Sequence, residues 1–167
     1  MRHARFSAGL ITRSFHGFQN VQEVECNGET LDADASLLYM VLYSPANGQL
    51  IASVNVATGE CLTSGRFSSC LLNKANFRQT KLRTLLVDLQ PGESRSFGCN
   101  ITGVEAGGNT RVLSQVLVVR KSSEFSCFWV YHHRIEPGKT RHGVLSRVVV
   151  VRKSSEFSCF WVYHHRH

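Results

Sequence analysis

The sequence predicts an all-β protein built from short strands, and three observations support this. Apolar and polar residues alternate in several segments, which is the pattern of a strand with one buried face. Turn-forming pairs such as Asn47-Gly48 and Pro91-Gly92 separate these segments. No segment carries a sustained period of 3.6 residues with helix caps. Short strands divided by turns are typical of a β-sandwich or barrel.

The predicted strands follow one another along most of the chain. "VQEVEC" (21–26) alternates, and "LLYMVLY" (37–43) is an apolar run that ends at an Asn-Gly turn. "QLIASVNV" (49–56) then reads as the hairpin partner of that run. "LRTLLVDL" (82–89) and "SFGCNI" (96–101) flank a Pro-Gly corner.

The last predicted strand opens a repeat. "VLSQVLVV" (112–119) follows a Gly-rich loop, and the segment 112–134 recurs at 144–166 with only Gln115/Arg147 and Leu117/Val149 different. Two copies are too few for a solenoid. We expect the first copy to supply the last strand of the domain and the second copy to be spare, with a β-hairpin formed by Val148–Arg152 and Phe157–Tyr163.

The positive charge is confined to the C-terminal third. Residues 1–110 hold nine Lys/Arg and nine Asp/Glu, whereas residues 111–167 hold ten Lys/Arg and three Glu. The body therefore needs no acidic partner. A basic, aromatic tail is compatible with nucleic acid or an anionic membrane surface. We favour the simpler interpretation, a β-prone or unstructured extension without nucleic acid.

Six cysteines leave three interpretations open: a disulfide framework, a metal site or free buried thiols. No C-x-x-C pair occurs. A zinc set of Cys127, His132, Cys159 and His164 is chemically possible. Its Cys-x4-His spacing is unlike that of zinc fingers, and duplication alone explains the matching ligands. We predict no metal and no cofactor.

Residues before Cys99 carry a family resemblance. Phe97 stands two positions before this cysteine, Glu93 six, and Leu89, Val87 and Leu85 ten, twelve and fourteen. This resembles the E–F segment of immunoglobulin-like domains, "L-x-I-x-x-L-x-x-x-D-x-G-x-Y-x-C". The resemblance implies a variable-type two-sheet sandwich over 20–119, between an N-terminal extension (1–19) and the duplicated tail (120–167).

The same resemblance implies several pairings and a core. In the family, the cysteine of strand F is bonded to one on strand B, here Cys26. A second bridge between Cys61 and Cys70 and an ion pair between Arg66 and Glu93 are also expected, with two free thiols as the alternative to the second bridge. The family's tryptophan is absent and its corner tyrosine is Phe97. The expected inner residues are Val24, Cys26, Tyr39, Val41, Leu85, Val87, Leu89, Phe97 and Cys99.

The triplet Asn100-Ile101-Thr102 is an N-glycosylation acceptor. If Cys99 points inward, Asn100 points outward, as a glycan requires. An unmodified surface asparagine is the alternative. No apolar run reaches transmembrane length. The first 18 residues lack the apolar stretch of a signal peptide, so we expect any secretion leader to lie upstream.

Enzyme signals are weak. No G-x-S-x-G, P-loop or H-E-x-x-H motif occurs. The spacing of His16 and Cys61 does not recommend a dyad, and Asp32 and Asp34 read as a solvated loop. We therefore predict no catalysis.

The sequence predicts a recognition or adhesion module of a secreted or cell-surface protein that binds another protein or a glycan. Loops 28–36 and 102–111 are its candidate surfaces. The alternatives are a basic-tailed intracellular protein that binds nucleic acid with reduced cysteines, and a fragment or mis-assembled gene product without independent function.

Overall fold

The computed structural model is an all-β sandwich of two antiparallel sheets, which confirms the predicted fold class. It describes residues 9–15, 21–122, 128–135 and 145–150. Two single-turn 3-10 helices, Gly28–Thr30 and Phe77–Gln79, interrupt the strands. The strands are β1 (Leu10–Ser14), β2 (Gln22–Asn27), β3 (Ser36–Tyr43), β4 (Leu50–Asn55), β5 (Glu60–Thr63), β6 (Ser68–Leu71), β7 (Lys81–Leu86), β8 (Ser94–Val104), β9 (Thr110–Lys121), β10 (Phe128–Ile135) and β11 (Leu145–Val150).

The chain divides these strands between two layers. The smaller sheet has the order β1-β2-β7-β6, and the larger sheet has the order β11-β10-β9-β8-β3-β4-β5. The chain changes sheet between β2 and β3, between β5 and β6, and between β7 and β8. This architecture, with disulfides joining the layers, is compatible with an immunoglobulin-like fold.

The core lies between the two sheets, where the inward side chains of both meet. Five of the predicted inner residues are buried there: Val24, Cys26, Leu89, Phe97 and Cys99. Further fully or nearly fully buried side chains are Leu10, Leu37, Met40, Leu42, Ala52, Val54, Leu82, Leu86, Ile101, Leu117, Val119 and Val130. Burying this apolar surface is the main favourable term in folding.

Strand β7 has the opposite phase from the predicted one. Leu82 and Leu86 are buried, whereas Leu85 points to the other face and is only partly buried. Val87 is also only partly buried. The prediction that Leu85 and Val87 line the interior is therefore wrong. The strand ends at Leu86, so the Leu85-Val87-Leu89 pattern runs across its end and does not describe one face.

Strand β3 contains an irregularity that reverses its phase. The pairing with β8 shifts between Leu37 and Tyr39, so that Leu38 and Tyr39 are both exposed. Met40 and Leu42 point inward instead. Tyr39 and Val41 are therefore not core residues, and the prediction that they face the interior is wrong. A β-bulge, in which one extra residue breaks the alternation, explains the change.

Strand β1 lies within the segment that was predicted to be an N-terminal extension. It pairs with β2 from Leu10↔Cys26 to Ser14↔Gln22. Leu10 is fully buried, and its backbone N–H donates a hydrogen bond to Gln115 Oε1 at 2.8 Å. Because Gln115 belongs to β9, this bond connects one edge strand of the smaller sheet to the larger sheet.

The tail contributes strands to the larger sheet. β10 comes from the first copy of the repeat and pairs with β9, and β11 comes from the second copy and pairs with the far side of β10. The expectation that the second copy is spare is therefore wrong for Leu145–Val150. The predicted hairpin around residues 153–156 falls mostly outside the described residues.

Candidate recognition surfaces

Two disulfides hold the framework that carries these surfaces. Cys26 on β2 is bonded to Cys99 on β8, with Cα atoms 5.7 Å apart. Cys61 on β5 is bonded to Cys70 on β6, with Cα atoms 6.0 Å apart. Both bonds join one sheet to the other, the first through the core and the second along one edge. These are the pairings that the resemblance implies. Cys127 and Cys159 lie outside the described residues.

Three connections emerge at one end of the sandwich, which we call the loop end: residues 28–35, 56–59 and 105–109. Strand pairing places them together, because Ser36 at the start of β3 pairs with Val104 at the end of β8. Tyr39 likewise pairs with Asn55, where β4 ends. The loops predicted at 28–36 and 102–111 thus lie at the same end, although both are shorter than predicted.

The connection 28–35 is held by a cap at its start and by a buried leucine within it. Asn27 Oδ1 accepts a hydrogen bond from the Glu29 N–H at 3.1 Å and caps the 3-10 turn. Leu31 is buried. A Cβ atom added to Gly103 would lie only 2.9 Å from Leu31 Cδ2. A larger residue at position 103 would displace the end of the Leu31 side chain and crowd the Ser36 carbonyl oxygen, which would lie 3.0 Å from the added Cβ atom. Asp32, Ala33 and Asp34 remain exposed.

The connection 105–109 is a compact hairpin turn. The Glu105 N–H donates to the Asn109 carbonyl at 2.9 Å, and the Gly108 N–H donates to the Glu105 carbonyl at 2.9 Å. Gly108 has φ of 87°, which favours glycine. Arg111 Nη1 also lies 3.3 Å from Glu105 Oε1. Gly108 is therefore required by the geometry of this turn.

The larger sheet presents what we call its outer face, the side directed away from the core. Tyr39, Thr102 and Val112 form one row across β3, β8 and β9, and Val41, Asn100 and Ser114 form the next. Tyr39 is 39% exposed and Val112 is 42% exposed. Large apolar side chains thus face water beside the predicted glycosylation acceptor.

Asn100 lies near the middle of this face, in the centre of β8. Its side chain is partly exposed, and Oδ1 is buried without a hydrogen-bond partner. Thr102 points to the same side because it is two residues further along an extended strand. The acceptor triplet therefore has the outward orientation that the sequence predicts.

The predicted ion pair between Arg66 and Glu93 does not form. Glu93 pairs instead with Arg95, with Arg95 Nη2 and Glu93 Oε1 3.4 Å apart. Arg66 is exposed in the turn before β6 and has no ion pair with any described residue. Positions two apart on an extended chain share a side, so Arg95 reaches the carboxylate locally.

Sequence reasoning missed a charged cluster on the outside of the smaller sheet. Glu25 Oε1 lies 2.9 Å from Arg13 Nη2 and 3.0 Å from Arg83 Nε, and Glu25 Oε2 accepts a 2.9 Å hydrogen bond from Asn27 Nδ2. Glu23 also lies within 3.6 Å of both arginines. Glu23 and Glu25 alternate in the sequence, which indicates that they share one face of a strand. That Arg83 lies opposite them can be recognised only when the strand order is known.

The electrostatic balance at Glu25 favours the carboxylate. Burial by itself would raise the pKa of Glu25, since the side chain is only 2% exposed. The hydrogen bond from Asn27, the charge of Arg13, the hydrogen bond from Arg83 and the charge of Lys81 outweigh burial and lower this pKa below its ordinary value. The cluster is thus a structural ion network across β1, β2 and β7.

The described residues contain neither a metal-ion cluster nor a membrane-spanning helix. In the ranges that the structure describes, no group of three His, Cys, Asp or Glu side chains is placed to hold a metal ion. Three of the four residues in the considered zinc set, Cys127, Cys159 and His164, lie outside those ranges. Among the described residues, no helix is long and apolar enough to cross a membrane.

Comparisons with known proteins give no family assignment. No protein-family model matches the chain. The curated proteins likewise contain no significant match to it.

Proposed function

We propose that this chain is a variable-type immunoglobulin-like recognition module of a secreted or cell-surface protein. One observation carries the proposal: the order of the first nine strands. In variable-type domains, strands A, B, E and D form one sheet, and C′ and C″ extend the G-F-C sheet. The same arrangement results here when β1 to β9 are read as A, B, C, C′, C″, D, E, F and G.

The disulfides add support for an extracellular role. The bridge between β2 and β8 corresponds to the B–F bridge of the family. Disulfides persist in oxidising compartments and are rare in reducing ones. The absent tryptophan on β3 and the phenylalanine at position 97 mark a divergent member.

Recognition is assigned to the loop end. Each of its three connections carries exposed residues, the connections lie side by side, and they are short and held by hydrogen bonds. A surface held in one conformation loses little entropy on binding. The ligand class is another protein or a glycan, and no catalytic, metal or cofactor role is assigned.

The experiment compares three matched alanine-to-arginine variants of the full chain, produced through a secretory pathway. Ala33→Arg and Ala106→Arg lie in exposed connections of the loop end, and Ala46→Arg lies in the exposed turn at the opposite end. The probes are arrays of extracellular protein domains and of glycans. Ligands of the wild type should bind the first two variants at least tenfold more weakly and should bind Ala46→Arg normally.

Two results would overturn this proposal. Free thiols at Cys26 and Cys99 in the secreted chain would remove the extracellular argument. Unchanged binding by both loop-end variants would remove the assigned surface.

A further inference from the structure

The outer face of the larger sheet exposes two large apolar side chains, Tyr39 and Val112, on either side of the acceptor Asn100. We propose that Asn100 carries an N-linked glycan that covers this face and leaves recognition to the loop end. This inference rests on the proposed function, since the modification requires passage through a secretory compartment. The sequence contains no other Asn-x-Ser/Thr triplet.

The geometry at Asn100 fits the modification. Nδ2, the atom that would be joined to the sugar, makes no hydrogen bond with any described residue, whereas Oδ1 is the atom turned into the sheet. In the reaction, Nδ2 forms a bond to the anomeric carbon of an oligosaccharide carried on a lipid pyrophosphate. The bond from that carbon to the pyrophosphate breaks, the pyrophosphate leaves with the electron pair, and Nδ2 loses one proton.

The neighbours of Asn100 explain what the glycan would cover. Asn100 pairs with Val41 on β3 and with Ser114 on β9. Tyr39 and Val112 are therefore its diagonal neighbours, which lie about 7–8 Å away in an antiparallel sheet. The first sugar units would stand beside both exposed apolar side chains and keep another protein from packing on them.

The test uses the full chain behind a secretion leader, with Asn100→Gln, Thr102→Ala and Thr102→Ser as variants. Thr102→Ser keeps the acceptor triplet and is the matched control for Thr102→Ala. An endoglycosidase specific for N-glycans should lower the mass of the wild type and of Thr102→Ser by one glycan, and should leave the other two variants unchanged. Asn100→Gln should also self-associate more strongly in sedimentation, because its apolar face is bare.

A secreted wild-type chain with the Cys26–Cys99 bond formed and no glycan would overturn this inference and leave the proposed function intact. Equal self-association of wild type and Asn100→Gln would overturn the covering role. A chain with neither bond nor glycan would overturn both proposals.

A second inference comes from the repeat. The two copies differ only at Gln115/Arg147 and Leu117/Val149. In the first copy, both positions point inward from β9: Gln115 is 8% exposed and accepts the hydrogen bond from the Leu10 N–H, and Leu117 is fully buried. The copies thus differ at the positions where β9 contacts the rest of the sandwich.

The chemistry of these differences separates the two copies. Arginine has no hydrogen-bond acceptor, so at position 115 it would leave the Leu10 N–H without its partner and place a charge in the interior. Valine at position 117 would leave a gap of one methylene group. We infer that these two differences reserve the β9 position for the first copy and direct the second copy to the far side of β10.

Hydrogen exchange in the full chain tests this inference. Gln115→Arg/Leu117→Val should lower the unfolding midpoint by about 5–10 °C. Adding Arg147→Gln/Val149→Leu gives each copy the two residues of the other. This four-residue variant should regain the wild-type unfolding midpoint, and its slowest amide exchange should move from residues 115–119 to residues 147–151. Peptides of the two copies differ in mass, so mass spectrometry assigns them.

The double variant Arg147→Gln/Val149→Leu alone is the control and should keep the wild-type midpoint. If slow exchange stays at residues 115–119 in the four-residue variant, or if its midpoint is not restored, the inference is wrong and proximity to β8 alone selects the first copy. The four-residue variant decides the question even if the first double variant does not fold.

Discussion

The carboxylate of Glu25 lies on the outside of a sheet and is nevertheless almost inaccessible to water. Arg13 and Arg83 lie over it from the two neighbouring strands, and Asn27 holds its second oxygen. Each arginine keeps part of its side chain in water, 50% for Arg13 and 37% for Arg83. The network therefore combines one desolvated anion with two partly solvated cations, which is cheaper than burying both charges.

This arrangement makes stability depend on pH in a defined direction. The pKa of Glu25 is lowered in the folded protein, so its contribution is fully present above the ordinary glutamate pKa of about 4.3 and is lost as the pH falls through the lowered value. Glu25→Gln should lower the free energy of unfolding at pH 7 by about 1–3 kcal/mol. Urea unfolding between pH 7 and pH 3 measures it.

The difference between wild type and Glu25→Gln should shrink towards pH 3. Glu23→Gln is the matched control and should cost less, because its ion-pair distances of 3.5 and 3.6 Å are longer. A difference between wild type and Glu25→Gln that stays constant over the whole range would contradict the assignment.

Strands β3 and β7 show which part of an element can be predicted from sequence. An apolar run predicted β3, and the alternation of apolar residues, which follows from the period of two of the extended backbone, predicted β7. Neither pattern predicted which set of residues faces the core, because that depends on where pairing begins and whether a bulge intervenes. One irregularity between Leu37 and Tyr39 exchanged the faces of β3. In β7, the pattern at Leu85 continued past the end of the strand.

The phase of β7 can be tested with two leucines next to each other. Leu86→Ala removes a side chain that is 2% exposed and should lower the free energy of unfolding by about 2–5 kcal/mol. Leu85→Ala changes a partly buried side chain on the opposite face and should cost about 1 kcal/mol or less. Chemical denaturation measures both. Equal losses would show that Leu85 also contributes to the core.

At the scale of the whole molecule, cysteine chemistry was more predictable than side-chain packing. A disulfide involves only two residues, whose positions in the sequence can be compared with those of a known family. The resemblance implied the pairs Cys26–Cys99 and Cys61–Cys70, and both are bonded. The contacts of β1 and of Glu25 depend on which strands are neighbours, so they could not be predicted from the sequence. Residues 1–19 also contain no local pattern from which we predicted β1. The charge of Arg66 was visible in the sequence, but its distance from Glu93 was not.

The two disulfides should contribute unequally to global stability. Their cysteines are separated by 73 and 9 residues. In the chain-entropy model, the larger loop stabilises the fold by about 4 kcal/mol and the smaller by about 2.5 kcal/mol. Cys26→Ala/Cys99→Ala should therefore lower the free energy of unfolding more than Cys61→Ala/Cys70→Ala does. Thermal and urea unfolding of both variants measures this, and the reverse order would contradict it.

The position of the Cys26–Cys99 bond also determines how the molecule responds to a pulling force applied at its two ends. Tension passes directly from β2 to β8 through the sulfur atoms, so the 73-residue span between them bears no load. The bond therefore prevents this span, which has a contour length of about 250 Å at 3.3–3.6 Å per residue, from being extended. The load is carried instead by the segments outside the bond: β1, β2 up to Cys26, β8 after Cys99 and the strands that follow it. The segment between the two cysteines, which includes Leu82 and Leu86, is shielded from the applied force while the bond is intact.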